Sequence, residues 1–401
     1  MSAATDRPAR TAQRQRTTIG LDVGKALGPL DGIGRYTRGL LAGLAELEAG
    51  LPGAERFDYV LFPLFRCERV IGDRELLAAT GFGADDSRDR VTFAAHAAPR
   101  PGEVDLFHAT AWAVPADYRG RLALTLYDFT FLTLADAHTE ENRAHCMIGL
   151  ARALARGGAL CAISRSVRED AADRLGIDAA AVAVAPPGVA AGFAAPPAEV
   201  VERTRIELGI DRPYVLALGT LEPRKNVPRL LEAWALLPSE LRAAHRLVLA
   251  GGEGWAGAAP SEPLERLLTR LGLGGEVRAL GYVDDERLPA LYAGASVFVY
   301  PSLGEGFGLP PVEAMACGVP VVASDRPALP EVLGDAAVLV DPESPARLAS
   351  AIAGVLGDPD RARALRAAGL QRAGELTWRR TAESVRGVWQ RRLERRAGAA
   401  S

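Results

Sequence analysis

Residues 300–320 read YPSLGEGFGLPPVEAMACGVP, and the order of residue types in that stretch decides the fold. The preceding run 297–300 (VFVY) is β-branched and aromatic, as a short buried strand is. Pro301 stops it. Gly304, Gly306 and Gly308 make a loop, and Pro310 and Pro311 set φ for a short helix over 311–316. Gly318 supplies the residue that ends this helix, and a strand restarts over 319–323. Strand, Gly-rich loop, helix and strand make one unit of an open α/β sheet, with the loop at the strand's carboxyl end. Unpaired N–H groups and the positive end of the helix dipole face that loop, and its glycines let the backbone approach an anion closely. A diphosphate is the natural guest. Glu305 and Glu313 frame the loop. Carboxylates suit such a place if each accepts hydrogen bonds from hydroxyls, one set on a sugar and one on a ribose. Taken alone, Glu313 reads equally as a dipole complement in a first helical turn, and Glu305 as a solvated loop charge.

The same alternation surrounds this unit. Strands are predicted at 214–218, 246–250 and 277–280, and helices at 227–237, 263–271, 286–294, 345–356 and 360–375. Residues 219–226 (GTLEPRKN) follow the strand 214–218, again at a carboxyl end. There Arg224 and Lys225 could hold a diphosphate and neutralise it as it leaves, against the plainer reading of a solvated surface pair. Asn226 is expected to N-cap the next helix, with Pro228 in its first turn. Upstream, the runs 17–23, 59–65, 105–108, 122–127, 159–163 and 182–185 read as strands, with helices over 35–47, 142–156 and 166–175. Gly32 and Gly34 in GPLDGIGRY (28–36) resemble a dinucleotide fingerprint without matching its spacing, and read better as a loop near a phosphate or an acceptor. His108 and Asp128 end strands and so become candidates for the cleft. The Asp358–Asp360 pair precedes a helix and reads as a cap rather than a metal ligand set.

Length and composition agree. A chain of 401 residues fits two domains, and 48% hydrophobic with 24% charged residues is the balance of a soluble enzyme. A net charge of −3 with no basic stripe argues against nucleic acid. The four cysteines lack metal-ligand spacing and suggest a reduced, cytoplasmic setting. Neither a secretory leader nor an apolar run long enough to span a membrane is read. The Arg-rich stretches 7–16 and 391–396 read as solvated tails, with contact to the inner face of a membrane as the alternative. The expected division is a tail over 1–16, an acceptor-side domain over 17–200 whose last stretch, 190–200, links onward, a donor-side domain over 201–375, and a helix over 376–396 packing back across both.

The ordered set GIGRY (32–36), EPRKN (222–226), GYVDDERLPALYAGAS (281–296), the Glu305–Glu313 pair with seven residues between them and LPEV (329–332) resembles glycosyltransferase family 4 of the GT-B fold, over most of residues 19–378. The resemblance implies two Rossmann-like α/β domains facing across a cleft and a retaining, metal-independent transfer from a nucleotide-diphosphate sugar, with no other cofactor. It implies that Lys225 and a nearby Arg bind the diphosphate, that Glu305 contacts the transferred sugar and that Glu313 contacts the ribose. Gly306, Phe307, Gly308 and Leu309 would hold sugar and phosphates, Gly32 and Gly34 would lie near them, and Val283 joins the donor side. Thr220 stands where many relatives have Arg, which makes Arg224 the candidate cation. Tyr127 precedes Asp128 where many have His. Tyr127 and His108 are expected to touch the acceptor or the sugar, and Asp128 is grouped with the catalytic residues.

The motifs read most like mannosyltransferases of polysaccharide pathways. A GDP-linked donor is therefore favoured and a UDP-linked one stays open, with a glycan, a lipid-linked saccharide or a small metabolite as acceptor. The rival outside catalysis is a silent nucleotide-sugar-binding subunit that supports a partner transferase.

Overall fold

The computed structural model describes residues 16–28, 31–64, 71–82, 90–133, 138–252 and 262–394. Most of the N-terminal tail, Cys67 and parts of the loops 24–30, 65–89 and 130–145 lie outside the described residues, as does the end of the 391–396 run.

The described strands form two sheets. The first contains β1 (Thr18–Asp22), β2 (Asp58–Phe62), β3 (Val91–Phe93), β4 (Leu106–Ala109), β5 (Arg121–Leu126), β6 (Ala159–Ala162) and β7 (Val182–Val184). The second contains β8 (Tyr214–Leu218), β9 (Arg246–Ala250), β10 (Val277–Gly281), β11 (Val297–Tyr300), β12 (Val321–Ser324) and β13 (Ala337–Val340). Their spatial orders are β3-β2-β1-β4-β5-β6-β7 and β10-β9-β8-β11-β12-β13. Every pairing is parallel. β4 and β11 are buried at every position, as strands covered by helices on both faces must be. The molecule is two Rossmann-like domains facing across a cleft, the GT-B arrangement.

Strand order reverses between β1 and β4 and again between β8 and β11. Ligands of open α/β sheets bind outside the carboxyl ends of the strands at such a reversal. Here the two reversals face the same cleft, since the residues after β1, β8 and β11 line it together.

The linker is shorter than the sequence suggests. Pro197 stands at the N-cap of a helix, Ala198–Glu207, which packs on the helix Leu288–Ala293 of the second domain. The helix Trp378–Glu394 returns to the first domain and lies along the helix Gly32–Ala49. Two glycines make that approach close: a Cβ on Gly39 would stand 2.0 Å from the Trp378 ring, and one on Gly43 would stand 2.1 Å from the Trp378 carbonyl oxygen. Arg386 pairs with Glu48 at 2.6 Å and covers the Phe57 ring. Trp389 is fully buried, and its Nε1 donates to His108 Nδ1 at 3.1 Å.

Candidate active site

The loop after β8 and the loop after β11 build the centre of the site. Pro223–Lys225 form one turn of 3₁₀ helix that aims two cations into the cleft. Asn226 then takes left-handed φ, +59°, and is not the side-chain cap expected of it. Its buried Nδ2 donates instead to the carbonyl oxygens of Pro301 (3.1 Å) and Pro342 (2.8 Å), which staples this turn to the loops after β11 and β13.

Glu305 lies between the two cations. Lys225 Nζ is 2.7 Å from its Oε1 and Arg224 Nη1 is 2.7 Å from its Oε2. Ser302 Oγ (2.7 Å) and Tyr300 OH (2.8 Å) also donate to Oε1. Lys225 further donates to Tyr300 OH at 2.6 Å, and Arg224 Nη2 reaches Glu222 at 2.6 Å. Burial alone would raise the Glu305 carboxyl, but Arg224 and Lys225 outweigh it and hold the group well below the ordinary range. The Lys225 ammonium is pushed down by burial and by Arg224, against the pull of Glu305. Arg224 loses to burial and gains more from Glu305 and Glu222, so its value is raised. The result is two fixed cations sharing one buried anion.

The second carboxylate sits in the helix Leu309–Ala316, which starts at Gly308 with φ +91°. Glu313 is 5% exposed and accepts from Tyr292 OH at 3.1 Å. Arg35, from the first domain, stands 3.7 Å from it and is also paired with Asp285. Burial raises the Glu313 carboxyl, and Arg35 and the Tyr292 hydroxyl only partly offset this. The two carboxylates therefore shift in opposite directions.

The cleft encloses about 420 Å³. Of the residues singled out in the sequence, Gly32, Tyr127, Asp128, Thr220, Arg224, Lys225, Val283, Glu305, Gly306, Phe307, Gly308, Leu309 and Glu313 line it. Gly32 is the first residue of the helix Gly32–Ala49, and Gly34 donates its N–H to the cap Asp31 at 2.8 Å. The helix thus begins three residues earlier than expected, and Gly34 is buried within its first turn rather than in a loop. Tyr127 donates from its hydroxyl to the carbonyl of Thr110 at 2.5 Å. Its own carbonyl oxygen meets the second domain at Gly306, where a Cβ would come within 1.7 Å.

His108 corrects its assignment. It is fully buried in β4 between Thr125 Oγ1 (2.9 Å) and Trp389, and is absent from the cleft lining. Burial drives its imidazole down to about 3, so it stays neutral. Among the described residues the imidazoles that do reach the cleft are those of His138 and His145, and His138 Nε2 lies 2.8 Å from Thr130 Oγ1. That hydroxyl donates to Asp128 at 2.7 Å. His138 also meets Asn142 at 3.0 Å. Sequence reasoning missed Arg35, Tyr292, Tyr300, Ser302 and His138. Arg35 and Tyr300 stand inside quoted motifs, and their position at a helix start and a strand end was the available signal.

Residues 201–372 match the family model described as "Glycosyl transferases group 1". The O-antigen chain mannosyltransferase B of Escherichia coli is 47% identical over 165 residues, 41% of this chain and 42% of that one. The chain thus spans under half the length of that relative, and 22% of the serotype-specific mannosyltransferase WbdA of Escherichia coli. The D-inositol 3-phosphate glycosyltransferase of Kineococcus radiotolerans is 32% identical over 310 residues, 74% of this chain and 70% of that one. HepE of Anabaena, solved with UDP-glucose, has the same fold with a TM-score of 0.68 at 20% identity, covering 94% of this chain and all of that one.

Proposed function

The chain belongs to the group 1 glycosyl transferases, and on that premise we propose that it is a retaining mannosyltransferase that uses a GDP-linked donor. The observation that carries the reading is the cation pair Arg224 and Lys225, buried around one carboxylate at the meeting of two sheet reversals. Such a pair is preorganised for the charge that develops on a leaving diphosphate, and one such donor is worth about 3 kcal/mol in a transition state. Similarity to a named mannosyltransferase favours mannose and a polysaccharide-type acceptor. The UDP-glucose complex of HepE keeps a UDP-linked donor as the competing choice.

In this reading the diphosphate lies against the N–H groups at the start of the helix Leu309–Ala316, with Arg224 and Lys225 on its other side. Glu305 faces the hydroxyls of the sugar and Glu313 those of the ribose. The C1–O bond of the donor breaks and its electron pair leaves with the diphosphate. The acceptor oxygen bonds to C1 from the same face, and its proton passes to a phosphate oxygen. Neither a protein base nor a metal is required by this assignment.

Purified protein incubated with GDP-mannose and a mannose-terminated acceptor tests it. An α-linked product from the α-linked donor, formed in the presence of a chelator, is the expected result. A β-linked product contradicts retention, and activity only on a UDP-linked donor contradicts the base assignment.

A further inference from the structure

The first domain's wall of the cleft carries a chain of hydrogen bonds that the donor reading does not use. Asp128 follows β5 and lines the cleft. Its Oδ1 accepts twice from Thr130, from the backbone N–H at 2.9 Å and from the hydroxyl at 2.7 Å. A hydroxyl has one proton to give, and this one is spent on Asp128. Thr130 Oγ1 therefore accepts in its contact with His138, and His138 Nε2 carries the proton of that 2.8 Å bond. Nδ1 of the ring is then an acceptor, and Asn142 Nδ2 stands 3.0 Å from it as the donor. The direction is set from end to end: Asn142 donates to His138, His138 to Thr130 and Thr130 to Asp128. The chain requires a neutral ring. Burial lowers the imidazole, and Arg224 and Arg143 add to this; Asp128 and Glu222 pull the other way, and its value stays below the usual one.

The chain is supported from behind. Thr139 Oγ1 accepts from the Asn142 N–H at 3.2 Å and caps the helix Glu140–Ala155. Beside it, Arg143 Nε donates to the Phe131 carbonyl at 3.1 Å, which ties that helix to the turn Thr130–Thr133. Further along, the helix lies so close to the wall that a Cβ on Gly149 would stand 2.0 Å from the Trp112 carbonyl oxygen. Side chains backed in this way hold a site far more tightly than one free rotamer can. The Asp128 end of the chain meets the donor loop. A Cβ on Gly306, next to Glu305, would stand 3.3 Å from Asp128 Cβ, and the charge of Asp128 acts on Arg224. Asp128 and Glu305 thus border the same part of the cleft from opposite domains.

We propose that Thr130 and His138 are positioning residues for Asp128: with Oδ1 pinned by Thr130, Oδ2 accepts from a hydroxyl of the transferred sugar, across from Glu305. The identity of that ligand rests on the donor reading above. A carboxylate free to turn would meet hydroxyls in many places, whereas a pinned one favours a hydroxyl at one place.

Calorimetric titration of the full chain with GDP-mannose, GDP, UDP-glucose and UDP tests it. The readout is the affinity for the sugar nucleotide that the wild type prefers, set against that for the same nucleotide without sugar. Thr130→Val and His138→Leu should each weaken the sugar nucleotide about tenfold, as loss of a hydrogen bond to a charged group does, and leave the bare nucleotide within about twofold. His138→Gln keeps a donor at the place of Nε2 and should restore the sugar nucleotide. The double variant Thr130→Val, His138→Leu should be no weaker than either single one, since both break the same chain. Equal losses for the sugar nucleotide and the bare nucleotide would overturn the proposal, because the chain would then serve only the fold of the wall. So would an unchanged sugar-nucleotide affinity, losses that multiply in the double variant, or a His138→Gln protein as weak as His138→Leu. A wild type that prefers UDP-glucose contradicts the GDP assignment alone, since the comparison with UDP still reads Asp128.

Discussion

Glu305 stands among four donors, and two of them are cations that a diphosphate would also attract. Removing one partner of a buried ion pair costs about 3–5 kcal/mol when the other is left uncompensated. Glu305→Gln leaves Arg224 with Glu222 and Lys225 with the Tyr300 hydroxyl, so about 3 kcal/mol or less is expected, read as a lower Tm. A nucleoside diphosphate should raise the Tm of this variant more than that of the wild type, because it restores an anion to the cations; an equal rise would argue against a phosphate at this place. The pH behaviour of the two carboxylates separates them. Glu305 is depressed, so its contribution is present above its usual value of 4.5 and is lost as pH falls through its lower folded value. Glu313 is raised, so the native state holds its proton longer than the unfolded chain, and stability falls as pH rises through the folded value. Thermal melts of Glu313→Gln should therefore gain on the wild type as pH increases from about 4.5, and a difference that stays flat would contradict the assigned shift.

At the scale of elements, helix glycines separate packing from chemistry. Gly43→Ala improves helix propensity by about 1 kcal/mol, yet its Cβ would meet the Trp378 carbonyl at 2.1 Å. Overpacking of this kind costs about 1–3 kcal/mol, so a lower Tm is expected. Gly32 has open space where a Cβ would go. Gly32→Ala should leave the melt unchanged, and any loss of transfer then reports on the ligand that passes beside it. The elements themselves were largely legible: β8, β9 and β11 and the helix Pro345–Leu356 run where the apolar periods put them. β3 and β13 were not anticipated, since three or four residues at a sheet edge carry too short a period. The start at Gly32 was hidden because two glycines obscured the cap Asp31. Asn226 and His108 were misread for a different reason. The partners that fix them, Pro342 and Trp389, lie 116 and 281 residues away in the sequence, and local chemistry does not show them.

For the whole molecule, the cleft closes where Gly306 of one domain meets the Tyr127 carbonyl of the other. A methyl group there cannot fit without the domains moving apart. Gly306→Ala should enlarge the radius of gyration of the nucleotide-bound protein in X-ray scattering and lower kcat by about 100-fold, the usual penalty of a displacement near 1 Å. Unchanged scattering and turnover would show that this contact does not set closure. The central claim concerns the ligand that closure surrounds, and calorimetric titration with GDP, UDP and ADP, on the wild type and on Lys225→Ala, tests it most directly. The account predicts that GDP binds in preference to the others and that Lys225→Ala loses most of this affinity while its melt stays cooperative. Binding of none of the three, or wild-type affinity in Lys225→Ala, would contradict it.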